Sequence, residues 1–299
     1  MRRSKSDVVF DSFNIVFMCL LLAMWIYPLY FVVIASFSDP YAVASGKVTL
    51  FPVNFTVEAY TNVFQNNQIW VGYRNTIFYT VFGTSFNLLL TIPAAYALSK
   101  KTLPFRAVVT WVYLFTMFFG GGLIPTYLLV RDIGLLNRPP VMILLSGISV
   151  YNMVVTRTFF SITIPEELYE AGKIDGARET GMFFRIALPL ATPIIAVMAL
   201  YYGLGHWNSY FNALIYISSK KLEPLQLVLR RILILNETAM AEAVKIGDSE
   251  KIAIMARRQY MAEGMKYAVV FIASFPMLCA YPFVQKYFVK GVMIGSLKG

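Results

Sequence analysis

The stretch Ser12-Phe-Asn-Ile-Val-Phe-Met-Cys-Leu-Leu-Leu-Ala-Met-Trp-Ile-Tyr-Pro-Leu-Tyr-Phe-Val-Val-Ile-Ala-Ser-Phe-Ser38 contains no Asp, Glu, Lys or Arg. About 20 apolar residues in a helix cross the hydrocarbon of a bilayer. Only helices and closed barrels satisfy their own backbone groups there. Barrel strands alternate apolar and polar residues over about ten positions, and this run does not alternate, so it reads as a helix. Arg2, Arg3 and Lys5 give it a basic start like that of a signal peptide. The run far exceeds the roughly 7–15 residues of a signal-peptide core, so it reads as a retained span.

Five further runs lack acidic and basic residues: Asn75–Leu98, Ala107–Val130, Pro139–Thr156, Ala187–Ser219 and Tyr267–Gln285. The fourth is the shortest and fits either a span or a buried core helix. The fifth is longer than a span needs, so it bends or extends past the bilayer. The expected fold is all-α, a polytopic membrane protein with six transmembrane helices. Composition agrees: 58% of the 299 residues are hydrophobic and 14% charged, with a mean hydropathy of +0.62. A soluble domain carries about a quarter charged residues.

In so apolar a chain, the net charge of +10 reads as Lys and Arg flanking spans on the cytoplasmic side, not as a nucleic-acid surface. With the N-terminus inside, the cytoplasmic segments hold Arg2, Arg3, Lys5, Lys100, Lys101, Arg106, Arg157, Lys173, Arg178, Arg185, Lys286, Lys290 and Lys298. The two short outer loops hold only Lys47, Arg74, Arg131 and Arg138. This bias puts both termini in the cytoplasm. The expected organisation is a cytoplasmic N-terminus at 1–11, a membrane domain at 12–289 and a cytoplasmic tail at 290–299. A cytoplasmic loop spans 160–189 and an external loop 220–266. The external loop is basic yet outside, which long translocated loops tolerate. Its apolar cluster (Leu225, Leu227, Val228, Leu229, Ile232, Leu233, Ile234) and the capping residue Ser249 indicate a folded segment. It fits either a docking surface or a cap over the helices. Cys19 and Cys279 lie in apolar runs and read as small lipid- or helix-facing residues. The single histidine, His206, excludes a multi-histidine metal site.

The cytoplasmic loop contains Pro165-Glu-Glu-Leu-Tyr-Glu-Ala-Gly-Lys-Ile-Asp-Gly-Ala-Arg-Glu-Thr-Gly-Met-Phe-Phe-Arg-Ile-Ala-Leu-Pro189. It reads as two short helices joined by a turn. Pro165 suits a first helical position, and Glu166 and Glu167 complement the N-terminal dipole. Gly172 permits a bend or C-cap, Asp175 can cap the second helix, and Met182, Phe183 and Ile186 recur near helical spacing. Pro189 is expected to stop the helix. From the residues alone, the pair fits a groove in a partner protein or an ordinary helical loop.

The pattern Glu170-Ala171-Gly172 … Asp175-Gly176-Ala177 … Phe183 … Ile186 … Leu188-Pro189 resembles the coupling motif of bacterial ABC importer permeases. That motif reads Glu-Ala-Ala, then Asp-Gly-Ala, a hydrophobic pair and Leu-Pro; Gly172 stands where the third position is usually Ala. Phe51-Pro52, Tyr60 and Asn75 are similar to the carbohydrate-uptake subfamily. So is the ending Tyr281-Pro282-Phe283 … Gln285-Lys286-Tyr287-Phe288-Val289-Lys290-Gly291 … Gly295 … Lys298-Gly299. The resemblance covers nearly the whole chain. It is closest to the smaller maltose-type permease and to permeases for polysaccharide fragments and alginate oligosaccharides.

The resemblance implies the type I importer permease fold in a bacterial plasma membrane. It also implies a heterodimer with a second permease, two ATPase subunits that bind ATP and Mg, an extracytoplasmic solute-binding protein and an oligosaccharide substrate. No cofactor is expected in this chain, which lacks a G-x-x-x-x-G-K-[ST] loop. Gly120-Gly121-Gly122 reads instead as a site of close helix packing or a kink.

Sugars bind through aromatic faces and hydrogen-bonding side chains. His206, Trp207, Asn208, Tyr210 and Asn212 concentrate both in the fifth run, with Tyr151 and Asn152 in the fourth and Asn87 in the second. Polar side chains inside a membrane face a cavity or a neighbouring helix. A secondary transporter or channel would carry charged residues within its spans, and these runs have none. A membrane enzyme would need a catalytic constellation that one histidine and uncharged spans do not provide. An importer of a non-sugar solute is separated from a sugar importer only by the resemblance.

Overall fold

The computed structural model describes residues 5–231, 260, 264–279, 281–282 and 285. The described secondary structure is helical. Two compact units divide the chain, residues 1–69 with 229–275 and residues 70–228 with 276–299.

The first unit begins with α1 (Lys5–Ser36). From Val9 to Tyr30 almost every side chain is exposed, as expected of an apolar helix whose solvent is lipid. Packing begins near its end, where Ile34 and Ala35 join Ala42, Val43 and Val48 in a small core flanked by Phe31, Val53 and Tyr267. The short α2 (Pro40–Ala44) starts where Asp39 accepts a bond from the Ala42 amide and Pro40 presets the first turn. The segment after it folds back on α1, because the Tyr27 and Tyr30 hydroxyls donate to the Thr49 and Leu50 carbonyls. Phe37 stacks between Phe55 and the Tyr60 ring of α3 (Glu58–Gln65). The apolar helix Gly264–Cys279 approaches Pro40 at Gly264, where a Cβ would sit 2.8 Å from the proline ring.

The second unit is organised around α4 (Asn67–Ser99). Next come α5 (Arg106–Phe118) and α6 (Leu123–Asp132), bent by 109° at the break. The third uncharged run is therefore not one straight helix. Among the described residues, nothing lies within 4 Å of a Cβ placed on Gly120 or Gly121, and Gly122 adopts φ +84°. Within them this triplet makes a kink and not a close helix contact. The fourth run is also interrupted. Between α7 (Pro139–Leu144) and α8 (Val150–Thr163), residues 145–149 leave the helical path, and Ser149 caps α8 by accepting from the Asn152 amide. Next are α9 (Glu166–Ile174), α10 (Glu179–Met182), a π-helical turn at Phe183–Ala187 and α11 (Leu188–Leu190). A 76° bend then leads into α12 (Thr192–Trp207), followed by α13 (Tyr210–Tyr216). Among the described residues, Val9–Ser36 and Asn67–Ser99 are long and apolar enough to cross a bilayer, and the count rises to four if each bent pair is one span.

One end of α4 is strapped by the segment after α13. Asn75 donates to the Lys221 and Glu223 carbonyls at 2.8 and 2.9 Å, Tyr79 donates to the Leu222 carbonyl, and Thr76 accepts from the Leu225 amide. Gly72 permits this, because a Cβ there would sit 2.9 Å from the Leu225 Cα. Of the expected external loop 220–266, the apolar start at Leu225, Leu227, Val228 and Leu229 is buried. Ile232, Leu233, Ile234 and Ser249 lie outside the described residues, as does the tail 290–299. Cys19 and Cys279 are free and exposed.

Candidate functional site

α9 and α10 form a projection whose local structure follows from its sequence. Glu166 and Glu167 occupy the first turn of α9 and Lys173 the last, each favourable to the helix dipole. The helix ends in an amide-to-carbonyl pattern closed by Gly176 at φ +76°, with Ala177 N donating to Gly172 O at 2.9 Å and Gly176 N to Lys173 O at 3.0 Å. A left-handed residue at this position favours glycine. Four details differ from the sequence expectation. Pro165 precedes the helix as its N-cap residue. Gly172 lies inside the helix and does not end it. Asp175 is the C-cap of α9, while Arg178 precedes α10. Pro189 falls within α11, where the preceding π turn has already loosened the ladder that proline would break.

The motif residues divide by burial. Glu170, Ala171, Asp175, Gly176 and Pro189 are exposed. Gly172 is buried, and Ala177, Phe183, Ile186 and Leu188 pack in part against a core containing Tyr96, Phe160, Tyr169 and Met182. A Cβ on Gly172 would meet the Ile186 Cδ1 at 3.1 Å and the Met182 Cγ at 3.6 Å. Half of the motif thus builds the projection and half is presented outward. The projection also presents apolar side chains outside the motif: Ile174, at the tip, is 87% exposed, and Leu168 and Phe184 are exposed too. Large apolar groups on a firmly folded protrusion suit insertion into a partner's groove.

At the base of the projection, the Lys100 Nζ sits 2.7 Å from the centroid of the Tyr169 ring and 4.8 Å from that of Tyr96. The Tyr96 ring also meets Phe160 at 5.6 Å and Phe183 at 5.0 Å. The Tyr96 and Tyr169 hydroxyls are buried and take no hydrogen bond among the described residues, so packing and the ammonium hold these rings in place. Burial pushes the Lys100 ammonium down to about 8, against the pull of Glu179, and pushes the Tyr169 phenol up to about 12. Lys101 pairs with Glu166 at 2.9 Å, which holds that carboxyl below its ordinary range. The Arg157 Nε donates to the Leu98 carbonyl at 3.1 Å.

The polar residues of the fifth run converge elsewhere. A cavity of about 530 Å³ is lined by His206, Asn208, Tyr210 and Asn212, with Asn152 from α8. Tyr201, Tyr202, Ser146 and Ser149 complete its character: hydroxyls, amides and aromatic rings, with no Asp, Glu, Lys or Arg among the described lining. Three sequence candidates stand apart from it. Trp207 is buried beside Tyr73, 6.4 Å between ring centroids. Tyr151 is exposed on α8 and does not line the cavity.

Asn87, also outside the lining, is a fully buried bracket. Its Nδ2 donates to the Ser146 and Gly147 carbonyls, the latter at 2.9 Å, and its Oδ1 is 2.7 Å from the His206 Nε2. With the amide nitrogen committed to two carbonyls, the oxygen accepts and Nε2–H donates. The Tyr202 hydroxyl similarly joins Thr91 and the Ser149 amide. The irregular turn at 145–149, three residues of which line the cavity, is therefore held from α4 and α12.

Lys100, Tyr96 and Tyr169 escaped the sequence reading. Lys100 counted there only as a topology charge. The pairing of Lys100-Lys101 after α4 with Tyr169, the fourth residue of α9, was the available signal.

Residues 69–293 match the family described as "Binding-protein-dependent transport system inner membrane component". The chain is similar to the Bacillus subtilis Protein LplC, 40% identical over 100% of this chain and 98% of the relative. It is also similar to the polygalacturonan/rhamnogalacturonan transport system permease protein YtcP of the same organism, 34% identical over 97% and 99%. Among solved structures, a chain from a bacterial ABC transporter involved in the import of the acidic polysaccharide alginate superposes with a TM-score of 0.83. That chain is 31% identical over 96% of this chain and 99% of that one.

Proposed function

Because the chain belongs to the family of binding-protein-dependent transport system inner membrane components, we propose that it is one permease half of an ATP-driven oligosaccharide importer. As a permease component it is not itself an enzyme; ATP hydrolysis resides on a separate subunit. In this reading six spans cross the bacterial plasma membrane with both termini in the cytoplasm. A second, related permease completes the pathway, two ATPase subunits drive it, and a solute-binding protein delivers the sugar to the external side.

The observation that carries the proposal is the projection with Ile174 at its tip. It is anchored by its own buried motif residues and presents apolar and acidic groups that its own chain leaves uncovered. Glu170, Ala171, Asp175 and Gly176 then face the ATPase, while Gly172, Ala177, Phe183, Ile186, Leu188 and Pro189 shape and orient the handle. The cavity offers the path. Its hydroxyls and amides match saccharide hydroxyls, and Tyr210 and Phe211 offer ring faces. His206, Asn208, Tyr210, Asn212 and Asn152 are the groups that meet the sugar. Asn87 positions the cavity wall, and Trp207 and Tyr151 have structural or lipid-facing roles. The structural neighbour comes from a transporter involved in the import of the acidic polysaccharide alginate. An acidic fragment passing this half would be held through its hydroxyls, because no cation lines the described cavity.

Copurification tests the assembly. The full complex should retain the ATPase, and Ile174→Asp should release it while leaving the permease in the membrane. Retention of the ATPase by that variant, or labelling of Lys173 by a membrane-impermeant reagent added outside intact cells, would sink the proposal. Uptake of neutral and uronic oligosaccharides would then identify the cargo.

A further inference from the structure

The projection also touches the rest of its unit through a joint centred on Lys100, Tyr96 and Tyr169, which belong to neither the motif nor the cavity lining. Lys100 is the residue that follows α4, and its ammonium lies between the Tyr96 ring of α4 and the Tyr169 ring of α9. Tyr96 continues the contact to Phe183 in the π turn that follows α10. One lysine and one tyrosine at the end of α4 thus engage both arms of the projection. Thirteen residues along the same helix separate Lys100 from Asn87, a distance of about 20 Å at the α-helical rise. At that point Asn87 holds the cavity wall at Ser146 and Gly147 and the His206 ring. The helix connects the two sites directly.

We infer that Lys100, seated on Tyr96 and Tyr169, is the positioning residue that locks the projection to α4, so that a displacement of the projection moves α4 and with it the cavity wall. This rests on the proposal that an ATPase grips the projection. A cation above an aromatic face is attracted to it, more strongly when partly withdrawn from water, and the attraction vanishes when the lysine loses its proton. The charged groups around Lys100 are Glu166, Glu170, Lys173 and Glu179 of the projection, Lys101, Arg106 of α5 and Arg157 of α8. Tyr169 stays neutral below about 12. Lys100, held at about 8, is therefore the member of the joint that changes charge between pH 7 and 9.

The sign separates this role from a stabilising one. A lysine whose folded pKa is depressed costs the folded state below that value, and that cost is relieved as pH rises from about 8 toward its ordinary value. Stability should therefore hold or rise over pH 7–9, while coupling falls.

The test uses the complete complex with its binding protein in proteoliposomes, measuring sugar taken up per ATP hydrolysed. Lys100→Met should leave assembly and ATP hydrolysis near wild type and reduce uptake per ATP by roughly five-fold or more. Lys100→Arg should retain most of the coupling. Wild type should lose coupling between pH 7 and 9, whereas the Arg variant should not. Wild-type coupling in Lys100→Met would overturn the inference, as would equal losses in the Met and Arg variants or identical pH profiles for wild type and Arg. Failure of the underlying proposal looks different: Ile174→Asp would then leave the ATPase bound, whatever the Lys100 variants do.

Discussion

Replacing Gly83 by alanine offers the sharpest test of the α4–α12 seam. A methyl group on Gly83 would overlap the His206 ring at Cε1, Nε2 and Nδ1. Either α12 moves away from α4, or the imidazole swings toward the cavity it lines and abandons Asn87. Overpacking costs about 1–3 kcal/mol, and an interhelical hydrogen bond in a membrane protein is worth about 0.6 kcal/mol, at most ~1.7. Alanine returns about 1 kcal/mol in helix propensity over glycine. The net loss is about 1–3 kcal/mol, or roughly 2–5 °C in melting temperature for a chain of this size. Thermostability of the detergent-solubilised complex by fluorescence-detected size exclusion would read it. The decisive arm is the pair Gly83→Ala/His206→Ala. With the ring removed, the methyl fills vacated space, so the double variant should be about as stable as His206→Ala alone. Two results refute the reasoning: Gly83→Ala melting at or above wild type, or losses that simply add in the double variant.

The remaining expectations concern the projection. Gly172→Ala should leave expression and melting temperature close to wild type, because its 3.1 Å contact is with the terminal methyl of Ile186, which can yield, and helix propensity offsets the crowding. Gly172→Leu, which has no such room, should lower both and weaken copurification of the ATPase. Lys101→Ala should leave the melting temperature unchanged within error, because the Lys101–Glu166 pair lies in solvent, with side chains 75% and 64% exposed. With Glu166 lowered by Lys101, the pair's effect is present above the ordinary carboxylate range and fades as pH falls through the lowered value. Any difference between wild type and Lys101→Ala should therefore appear at neutral pH and vanish in acid.

Long uncharged runs announced a helical membrane protein, because lipid admits few charges and the runs are written without them. The Glu170–Pro189 pattern announced the projection for a different reason: capping and dipole preferences are local, and every residue involved lies within one or two turns. The bends were less legible. Gly120-Gly121-Gly122 allowed a kink or a close contact, and only the empty space around the glycines decides between them. The division of the motif into outward and inward faces depended on what Gly172 meets, and Ile186 reaches it from a π turn that no residue type marks. Asn87 shows the limit most clearly. In sequence it is a lone amide in an apolar run, equally suited to sugar or scaffold. Its partners at Ser146, Gly147 and His206 are 59 to 119 positions away, so its bracing role exists only once three helices have met.

The glycine kink between α5 and α6 also constrains how deep the chain sits. α5 measures about 20 Å and α6 about 15 Å at the α-helical rise, both short of a hydrocarbon layer of about 30 Å. Peptide groups bared at such an elbow cost several kcal/mol each if only acyl chains surround them. The elbow therefore acts as a depth gauge: it must rest where water, headgroups or the polar flank of a neighbouring polypeptide can reach it. In the proposed two-permease assembly, that need marks the elbow as a place where the companion half, or a thinned patch of bilayer, has to come to meet this one.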